Sequence, residues 1–120
     1  MVYLLTGKAG SGKSTYARRL RDELQEGGTS VVLIDGDEFR KVANNQDFTD
    51  EGRRKNLIAA AKIAKEAEQD GFVVIMAFVS PKKEWRQQMR AMWQKSCLIY
   101  LPGGSLWPGT SYEMPDNEEW

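Results

Sequence analysis

The chain has 120 residues, and its 17 basic and 17 acidic side chains give a formal net charge of zero. This length suits one domain around one core, and the balanced charge gives no reason to expect nucleic acid or a membrane as a partner. Histidine is absent, which excludes a histidine base or a histidine metal site. No signal peptide is recognisable and no apolar run approaches the ~18 residues of a membrane span, so we expect a cytoplasmic location. Whether the chain forms a homodimer stays open.

The first predicted elements are a strand, a glycine-rich loop and a helix. The apolar run Val2–Leu5 predicts a buried parallel strand, and residues 16–26 predict a helix that ends at Gly27 and Gly28. Between them lies Gly-Lys-Ala-Gly-Ser-Gly-Lys-Ser-Thr, which fits the phosphate-loop pattern G-x-x-x-x-G-K-[ST]. Glycine allows backbone N–H groups to converge on a polyphosphate, and the following helix adds the positive end of its dipole. The residues predicted to bind ATP are Gly7, Lys8, Ala9, Gly10, Ser11, Gly12, Lys13, Ser14 and Thr15.

Lys13, Ser14 and the acidic residues after the second strand are the candidates for binding the phosphates and the metal ion. Lys13 supplies a mobile cation for the β- and γ-phosphates, and Ser14 supplies a hydroxyl for Mg²⁺. Residues 31–34 predict a second buried strand, and Asp35 and Asp37 follow it at the carboxyl end, where open α/β sheets bind ligands. The other predicted strand ends offer no comparable carboxylate, so we expect Asp35 or Asp37 to be associated with the metal. A turn stabilised by an aspartate side chain is the structural alternative.

A long helix is predicted in the middle of the chain. It spans roughly residues 50–70, with Thr49 as its N-cap and Gly71 as its C-terminal stop. Arg53 and Asn56 are three residues apart and therefore share one face. A solvent-exposed position is the ordinary expectation for such a pair.

Two more strands and one more helix follow. Residues 72–79 and 97–101 are apolar and predict the third and fourth strands, with Cys97 as a buried strand thiol. Ser80 is predicted to cap the intervening helix, because Pro81 would then occupy the first helical position.

The order of these elements predicts the fold class. Four strands alternate with three helices, a pattern typical of a three-layer α/β/α sandwich with a parallel sheet, here a P-loop kinase fold. We predict a single domain over residues 1–120, in which residues 41–47 form a loop and residues 102–120 form an irregular C-terminal tail.

Taken together, these motifs resemble the adenylylsulfate kinase family, which transfers the γ-phosphate of ATP to the 3′-hydroxyl of adenosine 5′-phosphosulfate. Besides the phosphate loop, the chain contains stretches similar to the family's F-x-x-x-x-R-x-x-N, S-P-x-x-x-x-R-x-x-x-R and G-x-x-x-x-Y-E-x-P patterns. The resemblance covers residues 2–101 and part of the tail. The residues that carry it are Asp35, Gly36, Asp37, Arg40, Phe48, Arg53, Asn56, Ser80, Pro81, Arg86, Arg90 and the stretch 109–115.

The resemblance implies a role for each matched residue. Phe48 would stack on the adenine of the sulfated nucleotide, and Arg53 with Asn56 would hold its phosphosulfate end or its ribose. The rest of the acceptor pocket would be formed by Asp37, Arg40, Val79 and Ser80, of which Ser80 occupies the position that the family marks as a phosphoserine intermediate. The implied catalytic residues are Lys13, Asp35 and Ser80, and the implied metal ligands are Ser14 and Asp35. The implied small-molecule partners are ATP with Mg²⁺ and adenosine 5′-phosphosulfate.

One departure from the family pattern leaves two other functions open. After its fourth strand the family has an Arg-Asp pair, a K-G-L-Y stretch and a lid helix, whereas here Leu101 is followed closely by the tail. The chain could therefore phosphorylate another nucleotide or small hydroxyl compound, or bind nucleotide with little catalysis. Arg86 and Arg90 discriminate between these functions. If they point into the cleft they can replace the lid cations, and if they face solvent, weak catalysis is favoured.

Overall fold

A four-stranded parallel sheet lies at the centre of the fold. The computed structural model describes residues 1–43, 49–106, 111–116 and 119, without the side chains of residues 40–43. The strands β1 (Val2–Thr6), β2 (Val31–Asp35), β3 (Val73–Ala77) and β4 (Ser96–Tyr100) are arranged in the order β2-β3-β1-β4. In the register of the sheet, Leu4 is opposite Met76 on one side and Leu98 on the other. The central strands β1 and β3 are covered on both faces, which explains their continuous apolar sequences.

Helices cover both faces of this sheet. Helix α1 (Lys13–Glu26) packs Ala17, Leu20 and Leu24 against one face. On the other face lie α3 (Asp50–Gln69), with Leu57 and three buried alanines, and α4 (Lys83–Arg90), with Trp85 and Met89. A shorter helix, α2 (Gly36–Ala43), follows β2 directly. The predicted three-layer α/β/α sandwich with a parallel sheet is confirmed.

Local sequence signals define both ends of α3 and the C-terminal end of α1 as predicted, whereas α1 begins at Lys13, three residues before its predicted start. The Thr49 hydroxyl accepts a hydrogen bond from the Gly52 N–H at 3.2 Å, so the predicted N-cap of α3 is confirmed. After α1 and α3 the chain turns at Gly28 and Gly71, whose φ angles of 88° and 91° lie in the left-handed region that glycine tolerates best.

Three predictions about local structure are wrong. The predicted loop 41–47 begins as the last turn of α2, which Asp37 and Glu38 in its first turn favour through the helix dipole; its remainder lies outside the described residues. Strand β3 is shorter than predicted and ends at Ala77. Ser80 is not an N-cap, because α4 begins only at Lys83 and the Ser80 backbone is left-handed, with φ at 46°. An N-cap requires an extended backbone instead.

The fourth strand also departs from expectation. Cys97 lies in β4 as predicted, but its side chain is exposed and its predicted burial is wrong. Among the described strands β4 is an edge strand paired with β1 alone, and Leu98 rather than Cys97 points into the core. None of the helices in the described part of the chain combines the length and apolar character that a membrane span requires.

Candidate functional site

The glycine-rich loop between β1 and α1 has the backbone geometry that a phosphate loop needs. Gly10 and Gly12 have φ angles of 78° and 94°, which are strained for other residues. At Gly7 a Cβ atom would lie 2.5 Å from the Leu101 carbonyl oxygen, so any side chain there would collide with the backbone. Helix α1 begins at Lys13, directly after the loop, and its first N–H groups have no partners within the helix. The loop and the helix terminus can therefore surround an anion with N–H groups.

The Lys13 side chain folds back over this loop. Its Nζ atom donates hydrogen bonds to the carbonyl oxygens of Gly7 at 3.0 Å and Lys8 at 2.9 Å. Burial lowers the pKa of Lys13, and the carboxylates of Asp37 and Asp35 oppose that shift. The ammonium group is thus partly desolvated, which strengthens its attraction for a phosphate group.

Ser14 and Asp35 meet next to this lysine. The Ser14 hydroxyl donates a 2.5 Å hydrogen bond to Asp35 Oδ2, and the Asp37 N–H donates to Asp35 Oδ1 at 3.0 Å. Asp35 therefore forms the aspartate turn that was the structural alternative, and it also contacts Ser14 of the phosphate-loop motif.

The Ser14–Asp35 pair also suits a magnesium ion. A hydroxyl and a carboxylate side by side are the hard oxygen ligands that Mg²⁺ takes. Among the described residues there is no cluster of three or more His, Cys, Asp or Glu that could hold a metal. The donor set fits an ion held by one or two protein ligands together with phosphates and water, as is usual for Mg²⁺ at nucleotide sites.

A cavity of about 360 Å³ opens beside these groups. Its walls come from the phosphate loop, the end of β2, the first turns of α3 and the segment after β3. The predicted site residues that line it are Ala9, Gly10, Gly12, Lys13, Ser14, Thr15, Asp35, Asp37, Arg53, Asn56, Val79 and Ser80. Gly7, Lys8 and Ser11 belong to the loop but do not line this cavity. Phe48 lies outside the described residues, and Arg40 lies in α2 with its side chain not described.

Arg53 and Asn56 are buried rather than solvent-exposed. Arg53 is 8% exposed and Asn56 is 4% exposed, and both line the cavity from α3. The ordinary expectation of a surface pair is therefore wrong. Arg53 and Asn56 line the same cavity as Lys13 and Ser14.

Ser80 has an unusual combination of properties. Its side chain is almost fully buried, at 1% exposure, and it lines the cavity. Its φ of 46° is a left-handed value that serine adopts only where the surroundings enforce it. Its Oγ atom has no hydrogen-bond partner within the described part of the chain. A buried and unpaired hydroxyl on a strained backbone is typical of a ligand-binding position.

The C-terminal tail also contributes to the site, which the sequence analysis missed. Ser105 and Leu106 line the cavity, and the Ser105 N–H donates a 2.9 Å hydrogen bond to the Ala9 carbonyl. The one available signal was the Gly103-Gly104 pair, which marks a turn but not the element that the turn approaches.

Neither Arg86 nor Arg90 lines the cavity, and both are bound to other parts of the protein, Arg86 fully buried and Arg90 half-buried. Arg86 is fully buried and binds Glu119, Glu113 and the Ser80 carbonyl. Arg90 binds the Ser96 hydroxyl and the Glu119 carbonyl. Neither of the two predicted orientations is therefore correct, and both arginines attach the tail to α4.

Polyphosphate is the ligand that fits the loop, the lysine and the helix terminus, and the chain is accordingly a protein of the P-loop kinase class. A comparison with family models narrows this class. Residues 1–102 match the model for adenylylsulphate kinase, and the chain belongs to that family.

Curated relatives agree with this assignment. The chain is 45% identical over 92 residues to the probable adenylyl-sulfate kinase of Bacillus subtilis, a match that covers 76% of this chain and 47% of that protein. It is 40% identical over 102 residues to the probable adenylyl-sulfate kinase of Aeropyrum pernix, covering 84% of this chain and 56% of that one. The chain thus spans about half the length of the curated relatives it matches.

Solved structures of APS kinases are also similar to this chain. The structure of the Mycobacterium tuberculosis APS kinase CysC in complex with AMPPNP and APS matches with a TM-score of 0.78 and 26% identity, over 84% of this chain and 61% of that chain. A hexameric APS kinase from Thiobacillus denitrificans matches with a TM-score of 0.83 and 30% identity, over 97% of this chain and 23% of that chain.

Proposed function

We propose that this chain is an ATP-dependent phosphotransferase that moves the γ-phosphate of ATP to the 3′-hydroxyl of adenosine 5′-phosphosulfate, giving PAPS. The observation that carries the proposal is that one cavity is lined by Lys13 and the Ser14–Asp35 pair and also by Arg53 and Ser80. Membership of the adenylylsulphate kinase family supports it, as does the Mycobacterium tuberculosis neighbour, which is described in complex with AMPPNP and APS. A cytoplasmic location stays a prediction from the sequence.

The phosphate loop would hold the donor nucleotide. Backbone N–H groups of the loop and of the first turn of α1 bind the phosphate oxygens, and Lys13 exchanges the Gly7 and Lys8 carbonyls for the β- and γ-phosphates. Ser14 and Asp35 would hold Mg²⁺, which when bound neutralises charge on those phosphates. Transfer then depends on positioning and charge stabilisation more than on covalent chemistry by the protein.

The lining residues of α3 and of the segment after β3 would hold the acceptor. Arg53 and Asn56 bind its phosphosulfate end or its ribose, because a guanidinium and an amide match anionic oxygens and hydroxyls. Asp35 orients the acceptor hydroxyl or a metal-bound water. Following the family resemblance, the pocket is completed by Asp37, Arg40, Val79, Ser80 and Phe48, with Ser80 at the phosphoserine position.

Substitution of the loop lysine tests the proposal. Lys13→Ala should lower PAPS formation from labelled ATP and adenylylsulfate by at least about 10²–10³-fold, since one preorganised charge-stabilising group contributes that much. The circular dichroism spectrum should be unchanged. Lys62→Ala is the control, because it removes the same charge from an exposed position of α3 that does not line the cavity. Equal activity in Lys13→Ala and wild type would refute the role of Lys13.

The identity of the acceptor requires a separate measurement. The wild-type protein should convert adenylylsulfate in preference to other nucleoside phosphates and small hydroxyl compounds. Product from a different acceptor, with none from adenylylsulfate, would leave the kinase chemistry standing and replace the proposed acceptor.

A nucleotide-binding module with little catalysis is the second candidate. It is favoured by the position of Arg86 and Arg90, which bind the tail and leave Lys13 and Arg53 as the described cations that line the cavity. Titration calorimetry that detects ATP binding, together with no transfer to any acceptor, would support this candidate over the kinase.

A further inference from the structure

Arg86 is a buried cation that the proposed function leaves without a role. Its Nε donates to Glu119 Oε1 at 2.7 Å and its Nη2 donates to Glu119 Oε2 at 3.2 Å, so the carboxylate is bound in a bidentate manner. Its Nη1 donates to the Ser80 carbonyl at 2.7 Å, and its Nη2 also donates to the Glu113 carbonyl at 2.7 Å. One guanidinium therefore joins α4, the segment after β3 and the tail.

A second set of contacts joins the segment after β3 and the tail to the last residue of β1. The Thr6 hydroxyl donates to the Val79 carbonyl at 2.7 Å, and it shares a 2.8 Å hydrogen bond with the Tyr112 hydroxyl. Thr6 directly precedes Gly7, the first residue of the phosphate loop. The Tyr112 ring lies 5.7 Å from the Arg86 guanidinium. Tyr112 thus contacts the last residue of β1 as well as Arg86.

These contacts converge on the backbone of Val79 and Ser80. A left-handed serine persists only when neighbouring groups over-determine its conformation, and hydrogen bonds to the carbonyls of both residues supply that constraint. The direction of the two peptide groups sets where the Ser80 hydroxyl lies. Ser80 lines the cavity, and the proposed function assigns it to the acceptor pocket.

We propose that Arg86, held by Glu119, is a positioning residue for the acceptor nucleotide: it fixes the Val79–Ser80 backbone that forms one wall of the acceptor pocket. The identity of the acceptor, adenosine 5′-phosphosulfate, rests on the proposed function. The C-terminal tail then supports the acceptor site from outside the cavity, because none of residues 111–116 or 119 lines it.

The test compares two acid-to-amide changes in the same segment. Glu119→Gln removes the charge that holds Arg86. Asp116→Asn weakens the exposed 2.6 Å contact of the Asp116 carboxylate with Lys83 and keeps the backbone N–H that Asp116 donates to Glu119 Oε2 at 3.2 Å. Glu119→Gln should raise the KM for adenylylsulfate by about tenfold, the effect of losing a charge-assisted hydrogen bond. Its Kd for ATP should stay within about twofold of the wild-type value, and Asp116→Asn should change neither quantity.

A spectroscopic readout separates this proposal from the proposed function. In a ¹H–¹⁵N correlation spectrum, Glu119→Gln should shift the Ser80 amide resonance, and Asp116→Asn should not. If the wild type fails to use adenylylsulfate, the proposed function fails, while the Ser80 shift still tests the positioning role. Should Glu119→Gln not fold, Tyr112→Phe replaces it, because it removes the contact with Thr6 and keeps the ring. An unchanged Ser80 resonance, or equal losses of ATP and acceptor affinity, would overturn the inference.

Discussion

At the scale of single residues, Ser80 has the most demanding backbone conformation. Within the described chain it is the one residue other than glycine with a positive φ, at 46°. Such a conformation costs about 1–3 kcal/mol, and it recurs at ligand sites where surrounding contacts enforce it. Here those contacts are the hydrogen bonds from Thr6 to the Val79 carbonyl and from Arg86 to the Ser80 carbonyl. The strained Ser80 backbone therefore lowers the stability of the fold and places the Ser80 hydroxyl at the cavity wall.

Two substitutions of Ser80 measure that strain. Both Ser80→Ala and Ser80→Gly remove the hydroxyl, but only glycine accepts a left-handed backbone without strain. We expect Ser80→Gly to be more stable than Ser80→Ala by about 1 kcal/mol, since relief of about 1–2 kcal/mol is partly offset by the greater flexibility of unfolded glycine. Urea denaturation gives the difference. The opposite order of stability would show that Ser80 is not strained.

At the scale of elements, the sequence predicted what local signals determine. The ends of α3 follow from the Thr49 hydroxyl and Gly71, which act on the nearest turn. The i, i+4 spacing of Arg86 and Arg90 correctly places them on one face, but it cannot reveal what that face meets. Their partner Glu119 lies 33 residues after Arg86, and such long-range contacts leave no local pattern.

The Glu68 side chain joins α3 to the segment before β4 and to the N-terminus. Near the C-terminus of α3, its carboxylate accepts hydrogen bonds from the N–H groups of Gln94 and Lys95 at 2.8 and 3.2 Å, and it pairs with the Met1 amino group at 2.9 Å. Burial alone would raise the pKa of Glu68. The hydrogen bonds from Gln94, Met1 and Lys95 outweigh burial and lower this pKa below its ordinary value of 4.5.

The sign of this shift predicts a pH dependence. Because the folded pKa is lowered, the ionised Glu68 stabilises the fold fully above pH 4.5, and the stabilisation is lost as pH falls through the lower, folded pKa. Glu68→Gln should cost about 1–2 kcal/mol at pH 7, and the difference from wild type should shrink as acid is added. Denaturation curves between neutral and acid pH measure it. Glu66→Gln, at an exposed position of α3, should have little effect at any pH.

At the scale of the whole molecule, the strand order explains where the site lies. The order β2-β3-β1-β4 makes β1 and β3 neighbours, so the phosphate loop after β1 and the Val79–Ser80 segment after β3 leave the same edge of the sheet side by side. The sequence predicted this edge as the binding edge from the parallel fold alone. It could not predict that the tail returns to the same edge, because the contacts of the tail depend on the finished fold.

That return brings Gly104 against the phosphate loop. A Cβ atom on Gly104 would lie 3.0 Å from the Ser11 nitrogen and 3.1 Å from the Lys8 carbonyl oxygen, and it would be closer still to the Ala9 carbonyl oxygen. Gly103 has a similar φ, 91° against 76°, but a Cβ there meets nothing within 4 Å. The two glycines therefore form a matched pair in which backbone strain is common to both and contact with the loop is not.

Alanine at each position separates the two effects. Both Gly103→Ala and Gly104→Ala should cost about 1–2 kcal/mol of stability through the left-handed backbone. Only Gly104→Ala should also displace the loop, and it should weaken ATP binding about tenfold or more, because phosphate-binding N–H groups tolerate little misplacement. Calorimetric titration with ATP and magnesium measures the affinity, and thermal unfolding measures the stability. Equal ATP affinity in the two variants would mean that the tail touches the phosphate loop without determining its shape, and that the loop is held by β1 and α1 alone.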